Sequence, residues 1–220
     1  MASEGSMMTD LTIQLKHAMQ ALARDWHVKI PDGFSADSSG LGEPARTLLK
    51  RIANAHEPTW GQRLVWHALE DVGITENPPG SNSGPRINEA LKFCGVPLTL
   101  PPDQKSWCAC MVSLWLHEAG YEGPWPTYKE SVKSWEDMAE EKNLFVPAFL
   151  VRAGDLVTFK FDSNPGGDHI GIVTGPVRNG YVPTIEGNTS PDDKGSQSNG
   201  GGIFTRMRPV RLVNHFIRLK

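Results

Sequence analysis

The fold of this chain is decided by the stretch Ser106-Trp107-Cys108-Ala109-Cys110-Met111-Val112-Ser113-Leu114-Trp115. Apolar residues continue from it at helical spacing, and Gly120 follows where a helix would end. We therefore predict a core helix that begins at Cys108. The buried face of this helix is formed by Ala109, Val112, Leu116 and Ala119.

Weaker patterns extend outward from this helix in both directions. Further helices are predicted over 64–72, 87–94 and 131–143, where apolar residues recur at helical spacing. From residue 151 the pattern changes to short strands, predicted over 155–161, 169–174, 181–186, 203–207 and 210–219. Because the connections are short, we expect antiparallel pairing. The fold class is therefore α+β, with an antiparallel sheet packed against the helix that carries Cys108.

Composition excludes several classes of protein. The 220 residues are 39% hydrophobic and 21% charged, which is apolar enough to form a core. The net charge of −3 argues against a general nucleic-acid binder. No apolar run approaches the roughly 18 residues of a membrane-spanning helix, and the first residues lack the apolar run of a secretory signal. Three cysteines, Cys94, Cys108 and Cys110, are too few for a disulfide scaffold.

Cys108 and His169 are the candidate reactive pair. A thiolate is the nucleophilic form of cysteine, and the partial positive charge of a helix N-terminus favours that form at Cys108. His169 begins a predicted strand directly after the turn Gly166-Gly167-Asp168. An imidazole there is able to accept the thiol proton and return it to a leaving amine. The alternatives are a buried, unreactive Cys108 and an ordinary surface or core histidine.

A third group must hold the imidazole in the correct tautomer. If the second and third predicted strands form a hairpin, residues near Glu186 lie beside His169. Glu186 is then a natural partner for the second ring nitrogen, and Asn188 is the alternative. Both also suit an ordinary loop, since Gly187-Asn188-Thr189-Ser190-Pro191 has the composition of a turn.

Four motifs together resemble one family. Ser106 to Trp115 closely resembles the nucleophile helix of CHAP-type amidases and endopeptidases, which are papain-like cysteine hydrolases of peptidoglycan. The other three motifs are similar to strand elements of that family, and they follow in the same order along the chain: Ala153-Gly154-Asp155-Leu156-Val157, Gly167-Asp168-His169-Ile170-Gly171-Ile172-Val173 and Ile185-Glu186-Gly187-Asn188-Thr189. The resemblance covers roughly residues 61–218 and includes features common in phage-encoded members. It implies a catalytic domain at 61–220 with a papain-like CHAP fold.

The resemblance also implies an activity and a site. It predicts a peptidoglycan hydrolase that cuts an amide bond, as an N-acetylmuramoyl-L-alanine amidase or an endopeptidase. Cys108 would be the nucleophile, His169 the base and then the acid, and Glu186 or Asn188 the orienting group. The candidate walls of the substrate groove are aromatic, with a packing role in the core as the alternative for each of them: Trp107, Trp125 and Tyr128. No cofactor is needed, and no metal is expected, because residues 98–107 contain only one acid, Asp103, where some members carry an acidic calcium loop.

Other residues receive simpler interpretations. Cys110 stands two positions after Cys108, so it points away and is expected to be a packing residue, as is Cys94. The C-terminal basic residues are interpreted as alternating polar positions on an edge strand, with attraction to an anionic wall as the alternative. They are Arg206, Arg208, Arg211, Arg218 and Lys220.

Residues 1–57 are interpreted separately from the catalytic domain. Residues 1–8 are expected to be disordered or a cloning remnant, and residues 9–57 to form a small helical module that either packs on the catalytic domain or binds the wall.

We expect a monomer whose partner is bacterial peptidoglycan, with no nucleic acid and no membrane insertion. It would be made in the cytoplasm and act at the wall, as a phage lysin after holin release, a tail enzyme or a secreted effector. The alternative functions are a catalytically silent wall-binding module and a cysteine acyltransferase or protease.

Overall fold

The computed structural model describes residues 59–161 and 166–220. The interpretations of residues 1–8 and of the helical module at 9–57 lie outside the described residues. The predicted division between that module and a catalytic domain therefore stays a prediction.

The described residues form four α-helices: α1 Trp60–Glu70, α2 Pro85–Phe93, α3 Cys108–Glu118 and α4 Val132–Glu141. Each of them confirms a helix predicted from apolar spacing, and α3 begins at Cys108 as expected. Nine consecutive residues of α3, from Cys108 to Leu116, are buried. A helix buried on all sides must lie at the centre of the domain, and α3 packs against α1 and α2 as well as against the sheet.

The sheet has five strands: β1 Leu156–Phe159, β2 His169–Val173, β3 Tyr181–Thr189, β4 Gly202–Pro209 and β5 Val213–Ile217. Their order across the sheet is β4-β3-β2-β1-β5, and every pairing is antiparallel. The predicted α+β class and the antiparallel sheet packed on the helix of Cys108 are therefore confirmed. The strand predicted over 181–186 continues to Thr189, which makes Glu186 and Asn188 part of β3.

Side chains that alternate along the strands divide the core between the two faces of the sheet. Ile170, Ile172 and Ile185 belong to the large cluster that includes the helices. Val157, Phe159 and Val173 belong to a second, smaller cluster on the other face. The ring of His169 lies beside aromatic side chains, with its centre 6.0 Å from the ring centres of both Phe159 and Phe161.

A close approach joins β3 to the start of α3. A Cβ atom at Gly187 would lie 2.8 Å from the Trp107 ring and 3.1 Å from Cγ of Met111. Only glycine fits such a contact, because real Cβ atoms essentially never come that close to other atoms. Gly187 therefore allows the strand that carries Glu186 to lie directly against the helix that carries Cys108.

In the part of the chain that the structure describes, the helices are all too short or too polar to cross a membrane.

Candidate active site

Cys108 is the first residue of α3, and its side chain is almost completely buried. Trp107 occupies the N-cap position, and no side chain caps the helix there. Within the described residues, the backbone N–H of Cys108 donates to no backbone carbonyl. The N-terminus of α3 therefore combines a thiol with an unoccupied backbone donor and the positive end of the helix dipole.

His169 is the first residue of β2 and is fully buried. The turn before it is fixed by Glu136 of α4, whose Oε2 accepts a hydrogen bond from the Gly167 N–H at 2.9 Å. Oε1 of the same carboxylate accepts a hydrogen bond from Nδ2 of Asn214 at 2.8 Å. Glu136 thus ties the turn to α4 and β5, which fixes where β2 begins and where the ring of His169 stands.

Glu186 of β3 holds one nitrogen of this ring. Nε2 of His169 lies 3.1 Å from Oε2 of Glu186, and both side chains are fully buried. Burial acts to lower the pKa of His169, but hydrogen bonding with Cys108 and with Glu186 outweighs it and raises the pKa to about 9. The ring is therefore an imidazolium at neutral pH, held between a thiol and a carboxylate.

The second ring nitrogen, Nδ1, makes no well-aligned hydrogen bond within the described residues. Cys108 nevertheless acts on the same ring, since it is the first of the groups that raise the pKa of His169. Because Nε2 is occupied by Glu186, we infer that Nδ1 faces the sulfur of Cys108. This leaves Nδ1 available for exchanging a proton with the thiol or with a substrate amine.

Gly171 makes room for the Glu186 side chain. A Cβ atom at this position would lie 2.6 Å from Cγ of Glu186 and 2.9 Å from the carbonyl oxygen of Ile185. Such distances are too short for non-bonded atoms. The glycine in the histidine strand therefore permits the carboxylate to cross β2 and reach the ring of His169.

Arg208 of β4 forms the strongest contacts of the Glu186 carboxylate. Its Nε donates to Oε1 and Oε2 at 2.9 and 3.1 Å, and its Nη2 donates to Oε2 at 2.5 Å. Burial would raise the pKa of Glu186, but the charge and hydrogen bonds of Arg208, together with His169, hold it well below its usual range. The environment of Glu186 therefore favours its ionised form.

Arg206 and Arg208 do occupy alternate positions of an edge strand, as interpreted from the sequence, but neither side chain is exposed. The strand β4 does lie at an edge of the sheet, but Arg206 is 5% and Arg208 2% exposed. Both side chains lie across β3 and under the segment 190–201 instead of pointing into solvent. Sequence analysis did not identify Arg208 as a partner of Glu186. The usable signal was that arginines alternate in β4 and that this strand follows the strand of Glu186.

Asn188 does not take the place of Glu186. Its Nδ2 donates to the carbonyl oxygen of Ser198 at 3.4 Å, and its buried Oδ1 has no partner among the described residues. The backbone of Asn188 has φ 59°, in the left-handed region, and the β3–β4 register shifts between Glu186 and Thr189. This irregularity turns the strand after Glu186, so that of the two candidates Glu186 is the one bonded to His169.

The three aromatic candidates lie in different environments. Trp107 is fully buried and donates its indole N–H to Glu76 and Asn82, both at 3.2 Å. The prediction that it walls a substrate groove is therefore wrong, because the side chain packs beneath the start of α3. Trp125 is half-buried and Tyr128 is 61% exposed. These two line a surface cleft of about 530 Å³ whose lining does not include Cys108 or His169.

The other two cysteines, Cys94 and Cys110, lie close to each other, and Cys110 belongs to α3. Cys110 is fully buried, and hydrogen bonding with Cys94 together with burial raises its pKa far above the usual range. Such a thiol stays protonated and unreactive, in agreement with the interpretation of Cys110 as a packing residue. Cys94 is half-buried at the end of α2, and its pKa is lowered chiefly by that hydrogen bond.

Among residues 59–161 and 166–220, no three His, Cys, Asp or Glu side chains are grouped closely enough to hold a metal ion. The site brings together the sulfur of Cys108, the imidazole of His169 and the carboxylate of Glu186.

These features define a class of protein. An antiparallel sheet packed on a helix that begins with cysteine, beside a histidine on the adjoining strand, is the papain-like α+β arrangement. The family model described as the CHAP domain matches residues 101–188, and this part of the chain is a CHAP domain. The matched residues include Cys108, His169 and Glu186, and they end at Asn188. No curated protein and no solved structure matches the chain. The CHAP domain places the chain, at the general level, among hydrolases of peptidoglycan.

Proposed function

We propose that this chain hydrolyses an amide bond in the peptide part of bacterial peptidoglycan, with Cys108 as the nucleophile. The observation that carries the proposal is the contact of one buried imidazole with both Cys108 and Glu186. A nucleophile, a base within reach and a third group that orients the base are the minimum for covalent acyl transfer.

The reaction follows from this arrangement in two halves. The sulfur of Cys108 attacks the amide carbonyl carbon, and the proton of the thiol resides on His169. His169 then gives that proton to the leaving amine as the C–N bond breaks, which leaves a thioester on Cys108. In the second half His169 takes a proton from water, the hydroxide attacks the thioester, and the sulfur departs with the proton. Glu186 keeps the imidazole aligned through both halves.

The negative oxygen that forms on the carbonyl needs a donor. The backbone N–H of Cys108 is available for this role, because it has no backbone acceptor within the described residues. A second donor is expected from residues 101–107. Lys105 is not a candidate, since its Nζ is engaged with Ser83 and Leu98. Each preorganised donor contributes on the order of 3 kcal/mol to acyl transfer.

The cleft lined by Trp125 and Tyr128 is the proposed outer part of the substrate groove. Lys133, Asp137, Glu141 and Lys142 also line it, which gives the cleft two charged side chains of each sign. Stem peptides of peptidoglycan carry both carboxylates and amines, so such a lining suits them. No cofactor takes part in the proposed reaction.

The proposed setting is the bacterial cell wall. The protein would act as a monomer after release from the cytoplasm, either as a phage lysin, as part of a phage tail or as a secreted effector. It would cut either as an amidase, between the glycan and the stem peptide, or as an endopeptidase, within the stem or the cross-bridge.

Mass spectrometry of purified peptidoglycan after digestion tests the proposal and names the bond. Free stem peptides would identify an amidase, whereas shortened or uncrosslinked muropeptides would identify an endopeptidase. Cys108→Ala should abolish all new fragments while the protein stays folded. Cys110→Ala removes a thiol from the same helix and should retain most of the activity, which makes it the matched control.

Two results would contradict the proposal. New fragments from Cys108→Ala but none from Cys110→Ala would show that the wrong nucleophile has been assigned. If the folded wild type released no fragments from walls of several chemical types, a wall-binding module or a protein substrate would become the better explanation.

A further inference from the structure

We propose that Arg208 is a positioning residue of this active site, which holds Glu186 ionised and aimed at His169 and thereby sets the pH range over which Cys108 is reactive. The inference rests on the proposed function, because it extends the same site by a fourth residue. It assigns to β4 a part of the site that lies beyond the residues 101–188 matched by the family model.

The geometry of the contact is the first argument. Arg208 approaches Glu186 with two of its nitrogens, over distances of 2.5 to 3.1 Å. The Arg208 side chain is 3% exposed and that of Glu186 is fully buried. A planar guanidinium that meets a carboxylate at two points fixes both the distance and the orientation of that carboxylate. The carboxylate then meets His169 in one defined direction.

The surroundings of Arg208 are the second argument. Its guanidinium carbon lies 5.5 Å from the ring centre of Phe159 and 5.4 Å from that of Phe161. These two rings are parallel, 5.7 Å apart, and each lies 6.0 Å from the ring of His169. Aromatic faces attract a cation but do not neutralise it. Among residues 59–161 and 166–220, Glu186 is the only carboxylate that contacts Arg208, so the two side chains form a charge pair.

The third argument is the sequence of charges through the site. When Cys108 is in its nucleophilic thiolate form, its charge and those of the His169 imidazolium, the Glu186 carboxylate and the Arg208 guanidinium alternate in sign. Buried charges of this kind are tolerated only when each has an opposite neighbour. Without Arg208, the two anions would share a single cation, and the buried site would carry a net negative charge.

A competing explanation is that Arg208 only anchors the segment 190–201. Its Nη1 donates to Oε1 of Gln197 at 2.5 Å, and its Nη2 donates to Oγ1 of Thr189 at 3.0 Å. Arg206 makes contacts of the same kind: it donates to the Ser190 carbonyl at 3.0 Å and to Gln197 at 3.2 Å, but it makes no hydrogen bond to Glu186. Arg206 is therefore a matched control for anchoring.

The expected effect has a definite sign. Removing one buried positive charge makes every neighbouring group bind a proton more tightly. As the pH falls from neutral, a first proton binds either to the sulfur of Cys108 or to the carboxylate of Glu186. In the variant that lacks the charge, this proton will bind at a higher pH than in the wild type. The acid limb of Cys108 reactivity should therefore move to higher pH in Arg208→Gln, by about one pH unit or more. A purely structural role would lower the amount of folded protein and leave the limb in place.

The test measures the rate of alkylation of Cys108 by iodoacetamide between pH 3 and pH 9 (peptide fragment masses separate Cys108 from Cys94 and Cys110). Wild type, Arg208→Gln and Arg206→Gln are compared, with circular dichroism as the check of folding. We expect the pH of half-maximal rate to rise in Arg208→Gln and to move much less in Arg206→Gln. Equal shifts in the two variants, or no shift in a folded Arg208→Gln, would overturn the proposal.

Arg208→Lys keeps the proposal testable if Arg208→Gln does not fold. Lysine retains the charge but makes a single contact, so the half-maximal pH should stay within about half a unit of wild type. A shift above about one unit in folded Arg208→Lys would show that the charge is not what matters.

Alkylation of Cys108 does not depend on the peptidoglycan substrate, so the two proposals are tested separately. If the wild type alkylates as expected but releases no wall fragments, the proposed function fails while the role of Arg208 stands. If the wall is digested and the Arg208→Gln curve overlies the wild-type curve, only the role of Arg208 fails.

Discussion

Replacing Gly171 with alanine should separate Glu186 from His169 without altering either side chain. The added Cβ would lie 2.6 Å from Cγ of Glu186, whereas non-bonded carbon atoms approach to about 3.5–4.0 Å. Glu186 must therefore retreat by about 1 Å. A backbone shift cannot easily relieve this clash, because the same Cβ would also lie 2.9 Å from the Ile185 carbonyl oxygen. The Nε2–Oε2 distance of 3.1 Å would then exceed hydrogen-bonding range.

The magnitude follows from the contact that is lost. A hydrogen bond to a charged group contributes about 1.5–3 kcal/mol, and each 1.36 kcal/mol is a factor of about ten in rate. We expect kcat/KM of Gly171→Ala to fall about 10- to 150-fold, mostly in kcat, because the orienting contact does not touch the substrate. The assay is the initial rate of release of soluble fragments from purified peptidoglycan.

Gly201→Ala is the matched control for this variant. A Cβ at Gly201 meets no atom within 4 Å, and its backbone does not require glycine. Its activity and Tm should stay close to those of the wild type. If folded Gly171→Ala keeps activity within about twofold of the wild type, the contact between Glu186 and His169 is not what orients the imidazole, and the reasoning is refuted.

Two further predictions concern stability. Glu136→Ala leaves the Gly167 N–H and the Asn214 amide without their acceptor, so unfolding in urea should show a loss of about 1–3 kcal/mol, and an unchanged midpoint would contradict this. The second concerns pH. Because the pKa of His169 is raised from 6.5 to about 9 in the fold, its contribution to stability is complete below pH 6.5 and is lost as the pH rises to about 9. Calorimetry should show Tm falling across that window, and falling less in His169→Gln. The lowered pKa of Glu186 acts in the opposite direction, and its contribution is lost only in acid.

Local signals in the sequence were enough for the parts of the site that lie within one element. The two ends of α3 follow from different signals. Apolar spacing indicates its start at Cys108, and Gly120, whose φ is 74°, ends it. The pairing of β2 with β3 follows from the short connection between them. Together these two features bring Cys108, His169 and Glu186 together, which is why those residues could be predicted from the chain alone.

Features that depend on register or on exposure could not be predicted in the same way. Asn188 stands two residues after Glu186 and would share its face in a regular strand. The shift in register after Glu186 changes its direction, and no residue type announces such a shift. Trp107 has the composition of a groove wall, but its indole N–H finds two buried acceptors, Glu76 and Asn82, that are 31 and 25 residues away. Distant partners of this kind are set by the tertiary fold.

Arg208 shows why an edge strand is not always a surface strand. Its Cα is paired with Val182, while Glu186, four residues further along β3, is paired with Phe204. The arginine therefore reaches its partner by lying along β3, which a short basic side chain could not do. The segment 190–201 then covers it through Gln197. An edge position left room for a long side chain to fold back over the sheet, and the buried carboxylate made that direction favourable. The guanidinium of Arg208 thereby lies against Glu186, whose carboxylate contacts His169, and its positive charge balances the negative charge of that carboxylate.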